Sequence, residues 1–218
     1  MLEGKIMEIK TFYFNPLREC CYVAWDESGE CVIIDPGCYG ERELQRIKNF
    51  VEDKQLRPVK ILLTHGHFDH ILGLNGVAKA WNIDVYVDPS EKVQMLRSVE
   101  WCENLGLEFE AYEGEIKPIA DGDVIRFGNT ELKVISTPGH TEADVCFYNE
   151  KDGVLFSGDT LFAGSIGRTD HPGGDYDRII ESIHDKLMCL DGDVTVLPGH
   201  GPATSIGYER STNPFIHP

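Results

Sequence analysis

One short stretch of this 218-residue chain concentrates side chains that bind metal ions. Residues 64–70 read THGHFDH and place three imidazoles and one carboxylate directly after an apolar run. Neutral imidazole and carboxylate are the usual protein ligands for zinc, iron and manganese. His65 and His67 are two positions apart, so on an extended backbone both side chains point the same way. Asp69 and His70 are offset by a further step, which lets them face a second ion nearby.

Three more side chains of the same kind follow apolar strands later in the chain. They are His140, Asp159 and His200, each beside a glycine, and both histidines follow a Pro-Gly pair. Glycine lets the backbone turn tightly and approach a ligand closely. A His-rich polar turn without a metal is the alternative interpretation of residues 64–70. The recurrence of such side chains at four strand ends favours the metal site.

The elements that must position these side chains are predicted from hydrophobic periodicity. Strands are predicted at residues 6–14, 21–25, 31–34, 59–63, 83–87, 124–127, 132–135, 145–148, 154–156 and 194–197. Helices are predicted at residues 41–53, 71–81, 90–105 and 176–188, with Ser90 and Asp175 as N-caps. Continuously apolar strands between helices are typical of an α/β fold whose strands are covered on both faces.

Two segments each allow two interpretations. Asp35 ends a strand just before Pro36-Gly37, either as a turn-former or as a carboxylate that holds the metal loop in place. These two roles are compatible. The helix at 90–105 is interpreted as an amphipathic cover helix rather than as a lid or substrate-facing insert. Its apolar residues include Val93, Leu96, Val99 and Trp101.

Composition narrows the possible partners and the compartment. A net charge of −17, from 37 acidic and 20 basic side chains, argues against nucleic-acid binding. The seven cysteines are odd in number and form no C-x-x-C pair, which indicates reduced thiols in a cytoplasmic protein. Residues 1–5 lack the basic head and apolar core of a signal peptide, and no apolar run reaches membrane-spanning length. We therefore expect no membrane partner.

Taken together, the motifs resemble those of the metallo-β-lactamase-fold hydrolases over essentially the whole chain. The resemblance rests on H-x-H-x-D-H at 65–70, Pro-Gly-His at 138–140, Gly-Asp at 158–159 and Pro-Gly-His at 198–200. Within that superfamily, residues 157–162 and 164–170 look like the glyoxalase II group. The ending at 201–204 and 209–215 is similar to its short bacterial members.

This resemblance implies a four-layer αββα sandwich of two packed halves, formed by residues 1–218 as a single domain. It also implies two divalent ions, zinc first and iron or manganese as alternatives. Seven side chains are more than one tetrahedral zinc can use. By position, one ion would be held by His65, His67 and His140, and the other by Asp69, His70 and His200, with Asp159 bridging them.

The glyoxalase II type further implies hydrolysis of hydroxyacylglutathione, or of a related acyl thioester, by a metal-bridging hydroxide. Asp69 and Asp159 would be the catalytic carboxylates. Asp159 would bridge the ions, and Asp69 could orient the hydroxide as well as bind metal. Arg168 aligns with a basic position that binds the glutathione part of the substrate, with pairing to Asp170 or Asp175 as the alternative. The C-terminal helical domain of longer glyoxalase II enzymes is not expected, because the chain ends at Pro218.

Other activities on the same scaffold remain as alternatives. A mononuclear-iron persulfide dioxygenase would reuse several of the same ligands, and a lactone or ester hydrolase would use the same centre. A metal-stabilised binding domain without turnover is a third alternative. The complete ligand set argues against it, because a structural zinc site needs only four closed ligands. The partner expected from the glyoxalase II resemblance is a small-molecule thioester.

Overall fold

The computed structural model describes residues 7–216, so the predicted strand start at Ile6 lies outside the described residues. The strands are β1 (Glu8–Phe14), β2 (Glu19–Trp25), β3 (Glu30–Ile34), β4 (Arg57–Leu62), β5 (Asp84–Val87), β6 (Ile116–Pro118), β7 (Val124–Phe127), β8 (Thr130–Ser136), β9 (Val145–Asn149), β10 (Val154–Gly158), β11 (Leu161–Phe162), β12 (Ser165–Ile166), β13 (Thr195–Pro198) and β14 (Thr204–Ser205). The helices are α1 (Gly40–Asp53), α2 (Phe68–Ile71), α3 (Leu74–Trp81), α4 (Lys92–Leu105), α5 (Tyr176–Ser182) and α6 (Ile206–Thr212).

Two six-stranded sheets form the centre of the molecule. The first has the order β1-β2-β3-β4-β5-β6, antiparallel up to β3 and parallel from β3 to β6. The second has the order β14-β13-β10-β9-β8-β7, in which only the β10/β13 pair is parallel. Strands β11 and β12 form a separate small hairpin.

Strand β2 shows how the first sheet is covered on both faces. All seven of its residues are buried, and successive side chains point to opposite faces of a sheet. Tyr22 and Ala24 pack between the two sheets, whereas Val23 and Trp25 pack against α1 and α3. Helices α5 and α6 cover the outer face of the second sheet. The layers are therefore helix, sheet, sheet and helix, which confirms the predicted α/β sandwich.

The predicted helix at 71–81 is wrong in its start, because the chain forms two helices there. The short α2 carries Asp69 and His70, and α3 begins only at Leu74. Gly73 separates them: its N–H donates to the Pro36 carbonyl at 2.8 Å, and an added Cβ would lie 2.1 Å from Cys38 Sγ. This tertiary packing holds the backbone in a turn between the two helices.

The helix predicted at 90–105 also differs from the structure. Asp88, not Ser90, is the cap, since its carboxylate accepts a hydrogen bond from the Ser90 N–H and a single 3₁₀ turn precedes α4. The buried face of α4 also differs from the predicted one. Three of the four predicted apolar residues are exposed, and the buried side chains are Gln94, Met95, Ser98 and Cys102. This buried face meets the polar backbone at Gly66, so it is not a simple apolar stripe.

The remaining helices agree better with the sequence pattern. Asp175 caps α5 as predicted, with its carboxylate accepting from the Arg178 N–H at 3.1 Å. The predicted helix at 176–188 continues from α5 as a π-helical turn over Ile183–Leu187. All seven cysteines are free, and six of them are buried. Within residues 7–216, no helix has the length and apolar character needed to cross a membrane.

Candidate metal centre

Loops that follow four strands meet at one edge of the sandwich. The loop after β4 carries the first four predicted ligands, and those after β8, β10 and β13 carry His140, Asp159 and His200. Six of these side chains form two groups, and within each group the ligand atoms lie within 4.8 Å of one another. We call them the first triad (His65, His67 and His140) and the second triad (Asp69, His70 and His200).

Asp159 lies between the two triads. Its Oδ2 is 3.5 Å from His140 Nε2 in the first triad, and its Oδ1 is 3.4 Å from His70 Nε2 in the second. Within the second triad, Asp69 Oδ2 lies 3.1 Å from His200 Nε2. A single buried carboxylate thus faces both groups, as a bridging ligand would.

Hydrogen bonds behind the cluster set the tautomers of His65 and His70. The Thr64 hydroxyl donates to Asp35 Oδ2 at 2.6 Å, so it is free to accept from His65 Nδ1 at 3.0 Å. His70 Nδ1 donates to the same Asp35 oxygen at 3.1 Å. In the neutral form of each ring, Nε2 then carries the lone pair. Asp35 also accepts from the Thr64 N–H at 2.8 Å, so it both shapes the turn and holds the metal loop.

The histidines from the second sheet are oriented in the same way. His140 Nδ1 donates to the Arg168 carbonyl at 2.7 Å, and His200 Nδ1 donates to the Leu17 carbonyl at 3.3 Å. Because a carbonyl only accepts, the Nε2 atom of each neutral ring has its lone pair toward the cluster. Metal-binding histidines in proteins are usually oriented by such outer hydrogen bonds.

Several inward-facing atoms have no hydrogen-bond partner among residues 7–216. They are Nε2 of His65 and of His70 and Oδ1 of Asp159, all buried. Buried polar atoms are rarely left unpaired, so each such atom requires an explanation. Gly199 leaves the space open, since an added Cβ would lie 2.2 Å from Asp159 Oδ1. Buried imidazole and carboxylate donors in this arrangement fit a pair of divalent ions.

The electrostatics favour the metal-binding forms of His65, His67 and Asp159, but the protonated form of His70. Burial, reinforced by neighbouring imidazoles, holds the pKa of His65 and of His67 well below the ordinary value. Burial opposes ionisation of Asp159, but the positive potential of His70 and His140 outweighs it and lowers its pKa. For His70, burial is outweighed by Asp159 and Asp69, which raise its pKa. An ion that binds there would displace a proton.

Arg168 lies at the cluster through its backbone and not through its side chain. The guanidinium is 77% exposed and pairs with Asp170, at 2.9 Å from Nε to Oδ1 and 3.2 Å from Nη2 to Oδ2. The pairing alternative is therefore the one seen here, while a substrate contact stays a prediction. The Arg168 carbonyl is the group that orients His140.

Sequence reasoning missed several residues around the cluster. The His171 ring lies 4.8 Å from His67 and 4.9 Å from His140, between ring centroids, and Trp101 stacks 6.2 Å from His67. Glu91, in the turn before α4, is 1% exposed and bonds the loop between His65 and His67. Glu91 has no sequence signal, because its partners are distant in the chain.

Comparison with known proteins adds the evolutionary context. A profile of the metallo-beta-lactamase superfamily matches residues 16–200. Hydroxyacylglutathione hydrolase GloC from Haemophilus influenzae is 32% identical over 213 residues, which cover 97% of this chain and 99% of GloC. The BLEG-1 B3 metallo-beta-lactamase has a TM-score of 0.86 at 33% identity, over 97% of this chain and all of BLEG-1. TTHA1623 in a di-iron-bound form has a TM-score of 0.84 at 33% identity, over 94% and 99% of the two chains.

Proposed function

The chain belongs to the metallo-β-lactamase superfamily, and on that basis we propose that it hydrolyses acyl thioesters of the hydroxyacylglutathione type. As a metallo-hydrolase of that superfamily it has His/Asp clusters that suit a pair of divalent ions. The position of Asp159 between the two triads is the observation that carries the proposal. It suits a hydrolytic centre with two ions better than a closed structural site with four ligands.

The proposed ligands divide as the two triads do, with Asp159 shared. When bound, two divalent ions would lower the pKa of water toward neutrality and polarise a carbonyl oxygen. We propose that Asp69 orients the hydroxide as well as binding an ion. The Asn15 side-chain amide donates to the Asp69 carbonyl at 2.9 Å, and the Asp69 carboxylate is directed toward His200. The His200 side chain is 26% exposed, so solvent reaches the cluster from its side, and we propose that substrate enters there.

The chemistry of a thioester matches what the surrounding residues offer. A thiol has an ordinary pKa near 8.5, so a thiolate leaves without a strong general acid. Cys20 lies beside the loop that carries His200, with its Sγ 3.7 Å from the Gly201 carbonyl. Burial raises the pKa of Cys20 to about 11, so its thiolate is not available as a nucleophile at neutral pH. These features support attack by water over a covalent mechanism.

Similarity to GloC supports the choice of substrate class, because the two chains match over almost their full lengths. We propose zinc as the ion, with iron supported as an alternative by the di-iron form of TTHA1623. We further propose a cytoplasmic location, which the seven free cysteines support.

A substrate panel with metal analysis tests the proposal. The purified protein would be analysed for zinc, iron and manganese, then assayed with S-lactoylglutathione, its oxygen-ester analogue, a homoserine lactone and a chromogenic β-lactam. We expect about two metal ions per chain and the highest kcat/KM for the thioester. Asp159→Asn should remove thioester turnover while the protein stays folded by circular dichroism.

Other outcomes would point elsewhere. Hydrolysis of the β-lactam without thioester turnover would favour the activity named for BLEG-1 and refute the thioester class. Oxygen uptake with glutathione persulfide, together with a single iron per chain, would replace hydrolysis by the dioxygenase alternative. A protein with no bound ion and no turnover would favour a binding domain.

A further inference from the structure

A buried carboxylate outside the two triads contacts the loop that carries the first two histidines. Glu91 is 1% exposed and belongs to the 3₁₀ turn that precedes α4. Its Oε2 accepts a hydrogen bond from the Gly66 N–H at 2.7 Å. Gly66 separates His65 from His67, so this bond holds the peptide between two predicted ligands.

The second oxygen of the same carboxylate contacts the loop that carries His140. Glu91 Oε1 accepts from the Thr141 hydroxyl at 2.5 Å and from the Ala143 N–H at 3.2 Å. One side chain therefore joins a loop of the first sheet to a loop of the second. All three groups around it are donors, so they need an acceptor here, and burial would leave them unpaired without one.

Helix α4 holds the Gly66 peptide from the other side as well. The Ser98 hydroxyl donates to the Gly66 carbonyl at 2.8 Å. An added Cβ on Gly66 would lie 2.8 Å from Met95 Cγ, so the loop lies directly on the helix. This contact explains the polar side chain of Ser98 on the buried face of α4.

We propose that Glu91 is a positioning residue that sets the distance between His67 and His140 and thereby the affinity of the first triad for its ion. The inference rests on the two-ion site of the proposed function. The two rings are already close, with His67 Nδ1 2.8 Å from His140 Nε2. Outer hydrogen-bond partners of metal ligands typically change affinity by about 10–100-fold when they are removed.

The test separates the two triads by using two backgrounds. His200→Ala leaves the first triad with Asp159, and His140→Ala leaves the second. Glu91→Met, which keeps the volume but removes both acceptors, is introduced into each. Zinc affinity is measured by chelator competition, and the cobalt-substituted spectrum of each protein is recorded. Glu100→Gln, at an exposed position of the following helix α4, is the control.

In the His200→Ala background we expect Glu91→Met to weaken zinc binding by about 10–100-fold and to shift the cobalt spectrum. The zinc affinity of Glu91→Gln, which keeps one acceptor, should lie between those of Glu91→Met and the parent. Glu91→Gln also replaces Glu91→Met in the test if the Met variant does not fold. In the His140→Ala background neither variant should alter affinity. Equal losses in both backgrounds, or no loss in either, would overturn the inference. A parent protein that binds no divalent ion would overturn the proposed function itself, and this inference with it.

Discussion

Replacing Asp35 by asparagine should weaken the second triad through the tautomer of His70. The carboxylate is 2% exposed and accepts three hydrogen bonds, from the Thr64 N–H, the Thr64 hydroxyl and His70 Nδ1. In the Asp35→Asn variant the amide oxygen can keep the bond to the Thr64 N–H, but the NH₂ group replaces the oxygen that the other two donors face. The Thr64 hydroxyl can rotate, whereas His70 can only accept by moving its proton from Nδ1 to Nε2. Nε2–H would then point where a lone pair is needed.

The size of the effect follows from these contacts. Loss of one buried charge-assisted hydrogen bond costs about 1.5–3 kcal/mol, so the metal-free protein should lose about 2 kcal/mol of unfolding free energy. Affinity for the second ion should fall by about 10–100-fold, which corresponds to about 1.4–2.7 kcal/mol. The first ion should be less affected, because Thr64 can still accept from His65 Nδ1 after its hydroxyl rotates.

Asp26→Asn provides the matched control for this prediction. Asp26 is also buried, at 3% exposure, and accepts from the Asn129 N–H at 2.6 Å and the Thr130 hydroxyl at 2.9 Å, but it does not contact the triads. Urea unfolding of the metal-free proteins and chelator competition with zinc would be measured for both variants. We expect both to be less stable and only Asp35→Asn to lose metal affinity. Normal binding of the second ion by Asp35→Asn, or an equal loss in Asp26→Asn, would refute the tautomer argument.

Substitutions at three further positions test other parts of the centre. Gly199→Ala places a methyl group 2.2 Å from Asp159 Oδ1. Metal analysis should therefore show loss of the paired ions, and thioester turnover should fall by roughly 10²-fold. Retention of both ions would contradict this prediction. Thr64→Val removes the acceptor for His65 Nδ1. It should lower the unfolding free energy by about 1–3 kcal/mol and the affinity for the first ion by about 10-fold. Thr64→Ser keeps the hydroxyl and should change neither quantity. Arg168→Ala should raise KM for a glutathione thioester several-fold. Metal content should stay unchanged, because the Arg168 carbonyl still accepts the hydrogen bond from His140. An unchanged KM would exclude this side chain from the substrate site.

Much of this arrangement could be predicted from the sequence because metal chemistry restricts residue types. The seven predicted ligands follow strands, five of them directly beside a glycine, and the structure brings all seven together at one edge. Continuously apolar strands also made the layered fold predictable, since such strands are covered on both faces. Arg168 shows a limit of this approach: a substrate contact by its side chain stays a prediction, and nothing in the sequence indicated that its carbonyl orients His140.

What could not be predicted depends on contacts between distant segments. The partners of Glu91 include backbone groups 25 and 52 positions away, so its residue type alone reveals nothing. The start of α3 depends on Gly73 packing against Cys38, which hydrophobic periodicity does not detect. The buried face of α4 was predicted wrongly because Ser98 bonds the Gly66 carbonyl, while Met95 both contacts the Gly66 backbone and joins the apolar core.

Each triad takes members from both sheets. The first combines two histidines that follow β4 with one that follows β8, and the second combines α2 side chains with one that follows β13. Each bound ion would therefore act as a cross-link between the two halves of the sandwich, and separating the halves would require releasing it. Under this linkage, free metal at about 100 times its dissociation constant would add about 2.7 kcal/mol to the cost of opening. Metal supply would then determine how long the folded chain survives as well as whether its centre is complete.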